Sequence, residues 1–223
     1  MRLSAIVSCF TTLLSAICAF GATPPKDVRL TFTGQERPGE DPALKKYGMY
    51  EASAPRAKSG ASMDTVLPLK LNPGDKIAFI GNALLDRARG FGFFESLLQQ
   101  AFPTHQLVVR NLAWSGDSIR IQPRPLNLAD LEQHLTYEKI DVVFVAFGFN
   151  ESFAGDGGLP EFRRTLGHYL AKMKTSLFNG QEGPRIILLS PIANEDMERV
   201  AAASMNNRRI RLYVDAMHEV AVQ

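Results

Sequence analysis

Apolar and polar positions follow two regimes along this chain, with a change near residue 73. From Thr23 to about Pro73 no apolar period is sustained, and stretches such as "GQERPGEDPALKKYG" and "SAPRAKSGAS" are rich in Pro, Gly, Ser, Lys and Glu. That composition predicts an extended leader or linker over 23–73, able to wrap a domain. After "NPGD" strand-like and helix-like runs take turns. "KIAFIG" (76–81), "QLVVRNLA" (106–113), "IDVVFVAFG" (140–148) and "PRIILLSPI" (184–192) are short apolar runs of strand type. Between them, "FGFFESLLQQAF" and "LADLEQHL" read as helices, and a longer helix follows Pro160. In that longer helix Phe162, Leu166, Tyr169, Leu170, Met173 and Leu177 recur at spacings of 4, 3, 1, 3 and 4, which places them on one face. "NNRRIRLYVDAMHEVA" predicts a last helix. Strands that are apolar throughout and separated by helices predict an α/β domain, a parallel sheet with helices on both faces in three layers, over 74–223. In such sheets ligands sit at the carboxyl ends of the strands.

Composition narrows the function classes. A chain of 223 residues suits one α/β domain better than two core-poor ones. Lys and Arg number 25 against 23 Asp and Glu, for a formal charge of +2, too small to mark a phosphate-neutralising surface. Nucleic acid is therefore not an expected partner. Residues 1–22, "MRLSAIVSCFTTLLSAICAFGA", combine Arg2, a mostly apolar stretch from Ala5 to Phe20, and the small residues Gly21 and Ala22. This predicts a cleaved signal peptide and an exported, periplasmic or extracellular, protein. The apolar run is broken by Ser and Thr and falls short of the ~20 apolar residues of a membrane span. Both cysteines, Cys9 and Cys18, lie in this segment, so the mature protein would have no disulfide, no Cys–metal site and no Cys nucleophile. No His/Asp/Glu cluster has metal-ligand spacing, and no cofactor fingerprint stands after a strand.

The residues that follow the strands carry the chemistry. They read "GNALLDR", "NLAWSGDSIR", "GFNES" and "SPIANED". Their order and spacing resemble the SGNH/GDSL hydrolases, an α/β superfamily of esterases, lipases and carbohydrate acyl-hydrolases with a flavodoxin-like sheet. Asn111, Ser115, Gly116 and Asp117 resemble that superfamily's glycine block, and Gly148, Asn150 and Glu151 its asparagine block. Gly116-Asp117-Ser118-Ile119 resembles the name-giving nucleophile motif, yet its position in the order of blocks makes it the glycine block. The nucleophile block is then the earlier Gly81-Asn82-Ala83. Residue 116 lies 33 residues after 83 and 34 before 150, one strand–helix–strand step each way.

The resemblance implies ester hydrolysis through an acyl-serine intermediate, but Ala83 has no oxygen with which to attack a carbonyl. It also implies that Gly116, Asn150 and the backbone N–H of Ala83 keep oxyanion-type roles, none of which requires a serine hydroxyl. Ser118 stays open as an alternative nucleophile. The fourth block, Asp-x-x-His, is matched in letters by Asp215 and His218, but these fall in a helical run, where an exposed pair on one helix face is the plainer reading. The resemblance places the true dyad after a further strand, so the last strand and its loop are expected to be missing from this chain.

A narrower likeness is to exported planctomycete-type SGNH-like modules that precede haem-binding regions, which implies a haem-containing redox protein as a partner. Three functions therefore compete: an ester or acyl hydrolase with weak or no activity, a binding module that holds a sugar, acyl or carboxylate ligand, and a structural domain without ligand. Among the remaining residues, His105, His134 and His168 read as surface positions. "GFGFF" (90–94) reads as packing, Trp114 as a pocket-lining or half-buried aromatic, and Ser152 as a ligand donor or a turn cap. Asp86, the first carboxylate after the altered block, can face the cleft or the solvent.

Overall fold

The computed structural model describes residues 50–198 and 202–222. Residues 1–22, expected from their composition to be a signal peptide, lie outside the described residues, as does most of the expected leader 23–73. The elements, in chain order, are β1 (Lys58–Ser59), β2 (Lys76–Gly81), α1 (Ala83–Ala88), α2 (Phe93–Ala101), β3 (Val108–Asn111), α3 (Leu131–Glu138), β4 (Val142–Ala146), α4 (Phe149–Ser152), α5 (Leu159–Lys174), β5 (Ser176–Leu177), β6 (Arg185–Leu188) and α6 (Ala203–Ala221). A 3₁₀ turn, Asp156–Gly158, leads into α5.

Four strands form a parallel sheet in the order β3-β2-β4-β6. Each of the four predicted strands is one of them, and the two most apolar, β2 and β4, occupy the centre. Alternation along these strands separates two cores. Ala78, Ile80, Val143 and Val145 face Leu131 and Leu135 of α3, Phe162, Leu166 and Met173 of α5, and Tyr213, Ala216 and Met217 of α6. Ile77, Phe79, Val142, Phe144 and Ala146 face the other way, toward Leu85 of α1 and Leu98 of α2. The result is the three-layer α/β/α arrangement that the pattern predicts. Ile77, Ile80, Val142, Val143 and Val145 are shut off from water completely, and burying each such side chain contributes roughly 1.5–3 kcal/mol.

Two predictions need correction. Leu177 does not belong to the face of the long helix. The helix stops at Lys174, the side chain of Ser176 turns back to donate to Lys172 O, and Leu177 lies in β5, opposite Lys58 of β1. "GFGFF" is also not uniform packing. Gly92 has φ +63 and starts α2 in an orientation that leaves Phe91 and Phe93 each 71% exposed and stacked on one another. Only Phe94 of the three packs edge-on against Phe79 and Phe144.

Residues 50–75 run over the domain and close the β6 edge of the sheet. Thr65 Oγ1 accepts from Ile186 N at 2.8 Å, and Arg185 donates to Lys70 O and Asp75 Oδ1, each at 2.6 Å. The Thr65 hydroxyl takes the outward N–H of Ile186, which removes one donor of this edge from pairing with another chain.

Candidate functional site

The loops that leave β2, β3 and β4 meet at the carboxyl end of the sheet. Gly81 ends β2 at φ +139, and a Cβ there would stand 2.3 Å from Ala146 O, so only glycine permits this approach of β2 to β4. Asn82 N–H donates to Ala146 O at 3.2 Å, and Trp114 N–H donates to Gly81 O at 3.0 Å. Gly81 and Asn82 are thereby fixed between the ends of β3 and β4. Asn82 is buried, and its amide nitrogen meets no acceptor among the described residues. Ala83 is the first residue of α1, half-buried, so its N–H is one of the donors that a helix start leaves unused.

After β3 the chain makes a tight turn in which Asp117 N–H donates to Trp114 O at 2.9 Å. Ser115 and Gly116 form its exposed tip. A Cβ on Gly116 would meet nothing within 4 Å, and its N–H donates to no group among the described residues. The turn is braced from three sides. Asn111 Nδ2 donates to Leu85 O at 2.8 Å while its Oδ1 accepts from Ala113 N at 3.1 Å. Asn150 Nδ2 donates to Asp117 O at 2.7 Å and lies 3.4 Å from Ser115 O. Glu151 accepts from Ile119 N and from Gly148 N, each at 2.8 Å. Glu151 thus ties the loop after β3 to the start of α4, and the geometry accounts for an acidic residue beside Asn150.

Asp117 is nearly closed to solvent and receives a bidentate pair from Arg124, at 2.8 and 2.7 Å. Burial raises its pKa above the usual carboxylate value, and the Arg124 guanidinium opposes that rise. The same guanidinium lies 4.4 Å above the centre of the Trp114 ring, which is 43% exposed. Arg124 is a residue that no sequence block marks. The signal available was a basic residue seven positions after a conspicuous aspartate, and that is weak.

The serines separate clearly. Ser118 is held in its own turn, with Ser118 N–H donating to Ile121 O at 2.9 Å and Ser118 Oγ accepting from Ile121 N at 3.1 Å. Ser152 is buried, and its hydroxyl donates to Phe149 O at 2.7 Å, so it caps the turn. Ser115, by contrast, is exposed, and its hydroxyl donates to Asp86 Oδ2 at 2.5 Å. Asp86 also accepts from Ser115 N at 3.1 Å and from Arg89 Nη2 at 2.5 Å. Asp86 therefore faces the loop after β3.

Asp215 and His218 both sit on the exposed face of α6. Met217, between them in sequence, faces inward, where a Cβ on Gly148 would meet its sulfur at 2.9 Å. No hydrogen bond or ion pair among the described residues joins Asp215 or His218 to the loops around Ala83, Gly116 and Asn150. His168 is exposed, whereas His105 and His134 are half-buried rather than superficial: the His105 ring packs edge-on against Phe102, and His134 lies on α3 near Arg124. No group of three or more potential ligands able to hold a metal ion occurs among the described residues, and no helix among them is long and apolar enough to cross a membrane.

The fold has counterparts among solved structures. A gut microbial diltiazem-metabolizing enzyme superposes with a TM-score of 0.50 at 20% identity, over 71% of this chain and 36% of that enzyme. The likeness is one of fold, a parallel sheet between two layers of helices. An acetyl xylan esterase (TM-score 0.45, 16% identity, 66% of this chain and 72% of that one) and the psychrotrophic esterase EstA from Pseudoalteromonas sp. (0.44, 16%, 66% and 72%) are also similar. The matched part of this chain spans only about a third of the first of these enzymes, 36% of its length. No protein-family model matches the sequence, and no curated protein matches it.

Proposed function

We propose that this exported SGNH-type domain binds a small ester, acyl or carboxylate group at the carboxyl end of its sheet and turns esters over weakly or not at all. The observation that carries the reading is the contrast between an intact scaffold and an altered first block. Asn111, Asn150 and Glu151 brace the loop after β3 so that Gly116 presents an unused N–H, while Ala83, at the start of α1, has the place that the family resemblance gives to the nucleophile. Backbone donors fixed in this way favour a carbonyl or carboxylate oxygen. In triad hydrolases, loss of the nucleophile lowers turnover by about 10⁶, and the oxyanion donors alone retain roughly 10³ over water.

Two further parts of the proposal rest on other grounds. Export is supported by the composition of residues 1–22, and a haem-containing redox partner by the family resemblance alone. The test is thermal denaturation with short carboxylates and acyl amides. A midpoint that rises with ligand in the native protein, and does so less in Asn150→Ala, is the expected result. A midpoint indifferent to every acyl ligand, in a folded protein, overturns the binding reading.

A further inference from the structure

We propose that Ser115 is an alternative nucleophile of this domain and that Asp86 is its base, an inference that rests on the acyl-binding reading above. Four observations converge on this pair. Ser115 Oγ donates to Asp86 Oδ2 at 2.5 Å, the shortest class of contact between a hydroxyl and a carboxylate. The second oxygen of Asp86 is held by Arg89 at 2.5 Å, so the base is itself oriented by a third group, which is the arrangement that activates a hydroxyl nucleophile. Ser115 is exposed at the tip of its turn, whereas the hydroxyls of Ser118 and Ser152 are engaged with the backbone. Next to Ser115 in the chain stands Gly116 with an unused N–H, and Asn150 Nδ2 lies 3.4 Å from Ser115 O. The amide is anchored on Asp117 O at 2.7 Å, which fixes it beside Ser115 with a second N–H that makes only the long contact.

The chemistry balances without any further reactant. Ser115 Oγ forms a bond to the acyl carbon as its proton passes to Asp86 Oδ2, and the carbonyl oxygen becomes an oxyanion. The bond to the alkoxy group then breaks, and the leaving alcohol takes the proton from Asp86. Water attacks the acyl-serine, giving its proton to Asp86. The tetrahedral species collapses, and Ser115 Oγ leaves with that proton, releasing the carboxylic acid. Because the base is a carboxylate paired with arginine rather than an imidazole, this route is slow, in keeping with weak turnover.

The test is labelling of the full chain with an alkyl fluorophosphonate, read by mass spectrometry of its peptides. Attack by Ser115 would form an O–P bond and release fluoride, with the hydroxyl proton taken by Asp86. One adduct on Ser115 is expected, absent in Ser115→Ala and formed on the order of 100-fold more slowly in Asp86→Asn, the scale of general-base assistance. Asparagine keeps an acceptor for Ser115 N–H, and circular dichroism of both variants establishes that they are folded. No adduct in the folded native chain, or an adduct on Ser118 that persists in Ser115→Ala, overturns the proposal. If Ser115→Ala still gains stability from acyl ligands while the native chain forms no adduct, the nucleophile assignment fails and the binding reading stands. If the native chain labels on Ser115 but no acyl ligand stabilises it, the reverse holds.

Discussion

At the scale of single residues, the site depends on a few polar side chains that hold one loop in place. Asp117 and Arg124 are the most consequential of these, because the carboxylate is almost fully buried and the guanidinium beside it is mostly so. A buried charge pair stabilises little relative to an apolar pair of the same shape, but removing one member leaves an uncompensated charge. Arg124→Ala is therefore expected to cost about 3 kcal/mol in urea denaturation. The double variant Asp117→Asn/Arg124→Met should recover a large part of that loss. A single variant as stable as the native protein would mean that water reaches Asp117. That Ala83, Gly116 and Asn150 follow the ends of β2, β3 and β4 was legible at this scale. Arg124 was not, because the burial that makes it matter is a property of the folded turn.

At the scale of elements, α3 links the site to the rest of the domain. It opens with a reciprocal cap, in which Asp130 accepts from Gln133 N at 2.9 Å and Gln133 Oε1 accepts from Asp130 N at 3.0 Å. Its His134 has a pKa below the ordinary 6.5, chiefly through burial and then through the positive charge of Arg124, with Asp130 and Glu138 opposing. A lowered native pKa means that the unfolded chain binds the proton more readily, so stability is full above pH 6.5 and falls as the pH drops through the native value. His134→Gln should flatten the part of the acid-side decline that begins just below pH 6.5, as read from the denaturation midpoint against pH. An unchanged profile would show that other groups govern that range. The helix itself was predicted from "LADLEQHL", but the shifted histidine was not, since periodicity does not report what packs over an exposed-looking position.

At the scale of the whole molecule, the segment before the sheet is part of the fold's hydrogen bonding. Gln133 is completely buried, and its Nε2 donates to Glu51 O at 2.8 Å and Ala54 O at 3.0 Å. Arg56 pairs with Asp130, and β1 pairs with β5. A chain starting at Leu69 rather than Tyr50 leaves the buried Gln133 amide without its acceptors, at about 1–3 kcal/mol for each lost partner. For the two partners together the expected fall in Tm is roughly 4–24 °C, and it should shrink in a Gln133→Leu background, where no buried amide is left unpaired. An equal fall in both backgrounds would assign the loss to other contacts of the segment.

The amino-acid sequence by itself determined the four strands of the parallel sheet, the near-complete burial of β2 and β4, the helices α2, α3, α5 and α6 and the positions of the loops that meet at the carboxyl end of the sheet. These follow from apolar periodicity, which neighbouring residues encode locally. It also determined that alanine stands at position 83, directly after the first strand of the parallel sheet. Only the tertiary structure decided which serine meets a carboxylate, which aromatic residues of "GFGFF" face out, and which amide donors remain unused. Ser115 and Asp86 lie 29 positions apart, Asn150 and Asp117 lie 33, and Gln133 and Glu51 lie 82. Such pairs form because the sheet brings distant loops to one end, and a local pattern does not encode a contact between segments that far apart.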